Sequence, residues 1–223
     1  VSLQHGQFTD LHTIYNITGR EFSPLSDRSD GLPKPSYFII WGDYFRNVFL
    51  KNNQEKKDNN LVLGNPKFIR LKNKQFSVQP EPKRLLWCIS NEEFFFQELL
   101  FIGHIGNSYQ EYTITIRNHP TRGVDSQVLA DNLRGIPYEL SQEQDILKDI
   151  LISEVIFVSA VSSVFMEGFV LNRPVFRMIG SYKDSSMNSD KLGLYHVSTV
   201  ADLEQKFSLF NTKKPNKESS VII

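Results

Sequence analysis

The run Val155-Ile-Phe-Val158 is apolar at every position. Successive strand residues point to opposite faces, so an unbroken apolar run has to be covered on both, as in the middle of a parallel sheet. Before it, Ile146, Leu147, Ile150 and Leu151 recur at helical spacing; after it, Ser162-Ser163 leads into a helical run through Leu171. Helix, buried strand and helix in succession is the rhythm of an α/β protein with a largely parallel sheet.

The same alternation extends along the chain. Strands are predicted at Val1–Leu3, Tyr37–Trp41, Leu61–Leu63, Leu85–Ile89, Tyr112–Ile116 and Val175–Met178, and helices at Gly42–Lys51, Asn91–Gly103 and Ala201–Phe210. Ser141 with Gln144 three residues on reads as a capping box opening the helix before Val155, and Thr199 as the cap of the last helix. Lys51–Asn60 is polar and Asn-rich, so it reads as an exposed loop; Gly64-Asn65-Pro66 and Asn172-Arg173-Pro174 are turn signals. Lys72–Lys83 is polar with two prolines. The expected layout is a partial unit over 1–72, a linker over 73–84, a second unit over 85–210 and a mobile tail over 211–223.

Twenty-five basic residues balance 25 acidic ones, which argues against a general nucleic-acid binder. Cys88 is the single cysteine, so an internal disulfide and a Cys-rich metal site are excluded and a reducing, cytoplasmic setting is the simplest reading. No apolar run approaches the roughly 20 residues of a membrane span. The start at Val1 lacks a signal-peptide pattern and a methionine, and it reads as part of a longer protein.

Three constellations could carry chemistry. Arg117 and His119 close the strand before Pro120, at the strand end where open α/β sheets bind ligands. A guanidinium suits phosphate oxygens and an imidazole can donate to one. Ser162 and Ser163 stand where a strand turns into a helix, a favourable place for an anion, and Glu167, one turn on, could accept from ribose hydroxyls. His5, in Gln4-His5-Gly6, could act as a general base, with Asp10 as a weaker candidate for that role or for orienting the histidine. Each also has an ordinary explanation: His-Pro is a common turn, serine a common N-cap, and a helical glutamate is usually solvated. His12, His104 and His196 lack a comparable context. The histidines and carboxylates show no metal-ligand spacing.

The motifs Gln4-His5-Gly6, Tyr37-Phe-Ile-Ile-Trp41-Gly42, Leu63-Gly64-Asn65-Pro66-Lys67-Phe68, Arg117-Asn-His119-Pro120, Ser162-Ser163 with Glu167, and Asn172-Arg-Pro174-Val175 follow in this order. The order resembles bacterial surface-polysaccharide and teichoic-acid transferases of GT-B fold, in particular CDP-glycerol glycerophosphotransferases and capsule sialyl- and Kdo-transferases. The resemblance runs from Val1 to about Ile179. It implies two Rossmann-like domains, the first on the acceptor side and the second binding a nucleotide-activated donor. Carried over, His119 would contact donor phosphate, Ser162 and Ser163 would hold phosphate, Glu167 would bind ribose and His5 would be the base. The chain departs from the glycerophosphotransferase pattern at Gln4, where an aromatic residue is usual, and at Ala160-Val161, where Asp-Tyr is usual.

The resulting expectation is a glycosyltransferase or polyol-phosphate transferase in surface-polysaccharide synthesis. It would take a donor of cytidine type, a glycan or lipid-linked acceptor, and no metal, because no DxD-like acidic cluster is present. The resemblance also implies work at the inner face of the cytoplasmic membrane, although no basic amphipathic helix supports peripheral binding. Rival readings are a UDP-sugar 2-epimerase-like enzyme and a non-catalytic nucleotide-binding module.

Overall fold

The computed structural model describes residues 2–3, 37–52, 60–73, 78–89, 95–159, 162–179 and 193–212. The chain divides into two compact units between Asn73 and Lys74.

In the first unit, β1 (Ser2–Leu3), β2 (Phe38–Ile40) and β3 (Asn60–Val62) form a parallel sheet in that order. Helix α1 (Asp43–Asn52) follows β2, and α2 (Pro66–Asn73) follows β3. The sequence reading stopped at the turn Gly64-Asn65-Pro66 and missed α2. The turn is also the helix start: Gly64 has φ 79°, the Asn65 side chain accepts from the Lys67 N–H at 2.9 Å, and Pro66 takes the first helical position, where its missing N–H costs nothing. Phe68 and Leu71 carry the buried face of α2, and Phe68 meets the Trp41 ring edge-on at 5.6 Å.

The second unit contains β4 (Arg84–Ile89), α3 (Phe95–Ser108), β5 (Thr113–Asn118), α4 (Ser126–Asn132), β6 (Tyr138–Leu140), α5 (Ile146–Ile152), β7 (Val155–Ser159), α6 (Val164–Val170), β8 (Val175–Met178), β9 (Leu194–Val197) and α7 (Val200–Thr212). Its six strands are all parallel in the order β6-β5-β4-β7-β8-β9. Numbered within the unit this is 3-2-1-4-5-6, the doubly wound Rossmann order. The polar segment expected to be a linker joins this unit at its end. Glu81 N–H donates to Ile152 O at 2.8 Å, Thr113 N–H to Lys83 O at 2.9 Å, and Lys83 N–H to the Glu154 carboxylate at 2.5 Å.

Alternation along β4 sends Leu85, Trp87 and Ile89 into one core and Leu86 and Cys88 to the other face. On the first face, Trp87, Phe157, Phe176 and Tyr195 lie in register on four neighbouring strands. Their rings stack in sequence, with centroids 4.3, 4.9 and 4.6 Å apart. Phe207 and Phe210 of α7 pack on this row. Thr199 caps α7 as expected, its hydroxyl accepting from Asp202 N–H at 3.1 Å while Asp202 accepts from Ser198 N–H at 3.0 Å. The strand β9, the strand β6 and the helix α4 were not anticipated.

Helix α7 is tied to α3 by polar contacts as well. His104 Nε2 lies 2.5 Å from one Glu204 oxygen and Tyr109 Oη donates to the other at 2.8 Å. Burial pushes the phenols of Tyr109 and Tyr112 from their ordinary 10 up to about 12, helped at Tyr109 by the bond to Glu204. An ultraviolet titration should therefore show Tyr109 and Tyr112 ionising late, near pH 12. Because the folded values are raised, the stability they contribute is present below pH 10 and lost as pH rises through 12.

On the opposite face, α6 lies flat on the sheet because Gly168 has no side chain. A Cβ there would stand 2.8 Å from Ile156 Cδ1 and 2.9 Å from Val175 Cγ2. The helix ends in a Schellman motif: Asn172 N–H donates to Phe169 O at 3.0 Å and Arg173 N–H to Gly168 O at 2.9 Å, with Asn172 at φ 54°. Pro174 then blocks continuation and releases the chain into β8. Among the described residues no helix is long and apolar enough to cross a membrane.

Candidate functional site

Strands β4 and β7 are neighbours in the middle of the sheet, yet the chain leaves β4 toward β5 and β7 toward β8 on the other side. That divergence is the topological switch point, and it leaves a crevice at the carboxyl ends of the strands. A cavity of about 590 Å³ lies there. The five donor-side residues anticipated from the sequence, Arg117, His119, Ser162, Ser163 and Glu167, all line it. His5 and Asp10 lie outside the described residues.

His119 is held by its own turn. Its N–H donates to Ile89 O at 2.9 Å, tying the end of β5 to the end of β4. Asn118 closes the loop behind it, its amide oxygen accepting from Val124 N–H and its amide nitrogen donating to Val124 O, both at 3.0 Å. The His119 Nδ1 accepts from the N–H groups of Thr121 and Arg122, each at 3.2 Å. Backbone amides can only donate, so in the neutral ring the proton sits on Nε2 and that nitrogen is a donor. Pro120 fixes the turn that places the two amides.

Arg117 was expected on a phosphate. The structure places its guanidinium against protein instead. Nη1 donates to Asp149 at 2.5 Å, to Glu143 O at 2.8 Å and to Ser141 Oγ at 3.3 Å, while Nη2 donates to Gln144 O at 3.0 Å. The capping box expected at Ser141 does not form. Helix α5 starts at Ile146, capped by Asp145, whose carboxylate accepts from Leu147 N–H at 3.0 Å. Ser141 Oγ donates to Asp149 at 2.6 Å, and the pull of Arg117 on two successive carbonyls keeps residues 141–145 out of the helix. Gln144, Asp145 and Ile146 then face the cavity.

Across the cavity stands the start of α6. Ser163 occupies the N-cap position without making a side-chain cap bond, and Ser162 Oγ accepts from Val164 N–H at 3.3 Å. Glu167 is only 7% exposed. A solvated helical glutamate is thus not what the fold contains; a buried carboxylate at a cavity wall is uncommon and calls for polar company. Two further lining residues were not singled out from the sequence. Arg122 is in the same loop as His119, and Cys88 is the penultimate residue of the central strand, with its thiol pushed up by burial. A second basic residue three positions after His119 was the available signal for Arg122; Cys88 had none, since its place depends on which strand is central. Among the described residues no group of His, Cys, Asp and Glu could hold a metal ion.

No family model and no curated protein matches the sequence. Solved structures do match. The crystal structure of TarM superposes with a TM-score of 0.54 at 13% identity, covering 86% of this chain and 42% of that one. A G117R mutant of S. aureus TarM in complex with fondaparinux, alpha-GlcNAc-glycerol and UDP gives 0.54 at 14%, again over 86% and 42%. Accessory secretory protein 1, 2 and 3 of Streptococcus pneumoniae gives 0.53 at 6%, over 80% and 37%. The chain thus spans less than half the length of these proteins. At such identities the likeness concerns fold alone, and the fold is of the GT-B type.

Proposed function

We propose that the second unit binds the nucleotide of an activated sugar or polyol-phosphate donor, as half of a glycosyltransferase acting in surface-polysaccharide synthesis. The observation that carries this reading is the meeting of His119, Ser162, Ser163 and a buried Glu167 in one cavity at the switch point of the sheet. In the proposed reaction an acceptor hydroxyl attacks the transferred carbon or phosphorus. The bond from that atom to the donor phosphate breaks, and the nucleotide leaves with the electron pair. The Nε2–H of His119 and the hydroxyls of Ser162 and Ser163 would donate to the developing phosphate charge, and a positioned donor of this kind stabilises the leaving oxygen without reorganising. Glu167 would accept from the ribose hydroxyls. His5, with Asp10 as its lesser partner, is proposed to take the acceptor proton, and the transfer is proposed to need no metal.

The resemblance to transferases in which paired serines accompany His-Pro favours a cytidine nucleotide, CMP-sugar or CDP-linked. A uridine donor is the second reading, favoured by the UDP bound to the TarM mutant of the same fold. Calorimetric titration of the 223-residue chain with CMP, CDP and UDP separates the two. His119→Ala and Glu167→Ala should each weaken the preferred nucleotide about tenfold or more, the loss of a hydrogen bond to a charged or multiply bonded group. Unchanged affinity in both variants would remove the assignment. Absence of binding by the wild-type chain to all three nucleotides would favour a non-catalytic module.

A further inference from the structure

We propose that Arg117 and Asp149 are a positioning pair: they shape the wall of the cavity made by residues 144–146, and Arg117 is not itself a phosphate ligand. The inference rests on the nucleotide reading of the cavity.

Asp149 sits on α5 with its side chain 3% exposed, and Arg117 at the end of β5 is 17% exposed. Their contact at 2.5 Å joins a strand to a helix beside the cavity. One Asp149 oxygen receives both Arg117 Nη1 and Ser141 Oγ. The guanidinium reaches the carbonyls of Glu143 and Gln144 with two different nitrogens. Ser141 Oγ also accepts from Glu143 N–H at 3.3 Å, and Ser141 N–H donates to Ile116 O at 2.8 Å. The loop between β6 and α5 is therefore fastened at three successive stations, and its last residues form one side of the cavity. A fork of fixed donors is needed to reach two carbonyls and a carboxylate together. A lysine carries the same charge at one point and cannot do so. The positive charge of Arg117 is also matched locally by Asp149, which leaves the phosphate to His119 and the α6 side of the cavity.

Two roles for Arg117 predict different results with two probes, pyrophosphate and the nucleoside diphosphates CDP and UDP. A phosphate ligand would contribute to all of them, and lysine would largely replace it. A positioning residue would affect only the ligand that reaches the 144–146 wall. In calorimetry with the full chain, Arg117→Lys and Asp149→Asn should each weaken the preferred diphosphate about tenfold while leaving pyrophosphate affinity within about twofold. Thermal melts identify any variant that does not fold; Asp149→Asn keeps the shape and a hydrogen-bonding group at the junction and decides the question if Arg117→Lys unfolds. The proposal is overturned if Asp149→Asn leaves diphosphate affinity unchanged, or if pyrophosphate and diphosphate weaken in parallel in Arg117→Lys. In either case the nucleotide reading stands. A wild-type chain that binds none of CMP, CDP and UDP overturns both; if it binds CMP alone, CMP takes the place of the diphosphate in the same comparison.

Discussion

Replacing Trp87 by alanine is expected to destabilise the second unit by about 3–5 kcal/mol, the largest single effect foreseen for this chain. Trp87 is fully buried on the central strand β4 and stacks on Phe157 with the planes 9° apart. Phe157 stacks in turn on Phe176, and Phe207 of α7 touches both. Removing the indole leaves a cavity that stacked rings and paired strands cannot collapse to fill. The surrounding contacts are lost, in addition to the transfer energy of the ring. Trp87→Phe should cost far less, for two reasons. A smaller aromatic ring keeps most of the stack, and the indole Nε1–H has no hydrogen-bond partner among the described residues, so its removal relieves an unpaired donor. Urea denaturation followed by fluorescence or circular dichroism checks both variants. An alanine variant as stable as the phenylalanine one would mean that the stack contributes little.

The second large effect is expected at Gly168. Valine there places a branched side chain into space already occupied by Ile156 Cδ1 and Val175 Cγ2, at 2.8 and 2.9 Å from the new Cβ alone. Both neighbours are fully buried on adjacent strands β7 and β8. Overpacking of this kind costs about 1–3 kcal/mol, and relief comes most easily by lifting α6 from the sheet. Glu167 and Ser163 ride on that helix, so nucleotide affinity should fall together with stability. Gly168→Ala is the graded control: its Cβ alone meets the Ile156 side-chain end and the stiff, buried Val175, so its cost should be smaller than that of valine, offset in part by up to about 1 kcal/mol of helix propensity over glycine. Denaturation and nucleotide titration of the two variants check this. A valine variant that melts at the wild-type temperature would show that α6 has room to accept it.

The effects at Trp87 and Gly168 come from features of different legibility. The elements that packing makes obligatory could be read in the chain. Val155–Val158 is apolar throughout, so a central strand followed directly from composition, and the β-α alternation around it implied a parallel sheet. The caps that act within four residues were readable too, as at Thr199 and at the Asn172-Arg173-Pro174 stop. Weakly patterned elements were not. Tyr138–Leu140 is a three-residue edge strand with Glu139 exposed at its centre, and Ser126–Asn132 buries Leu129 alone, so neither imposes a period. At Ser141 two local programmes competed. A capping box was available, but Asp149 and Arg117, distant in sequence, took the serine and the loop carbonyls, and the cap moved to Asp145.

The sequence by itself determined which residues end the strands, and hence that Arg117, His119, Ser162, Ser163 and Glu167 would gather wherever those ends met. Strand order is not local: it depends on which apolar faces cover which, and only the tertiary structure brought β5, β4 and β7 side by side so that the five line one cavity. It also decided roles that residue type leaves open. A guanidinium can bind phosphate or carboxylate equally well, and Arg117 has Asp149 and two carbonyls within 3.0 Å. An imidazole can present either nitrogen, and two backbone amides fix the proton of His119 on Nε2. A helical glutamate is solvated by default, and the packing of α6 through Gly168 buries Glu167 against the cavity. Local pattern specifies which groups are available; the partners that reach them through space decide how they are held.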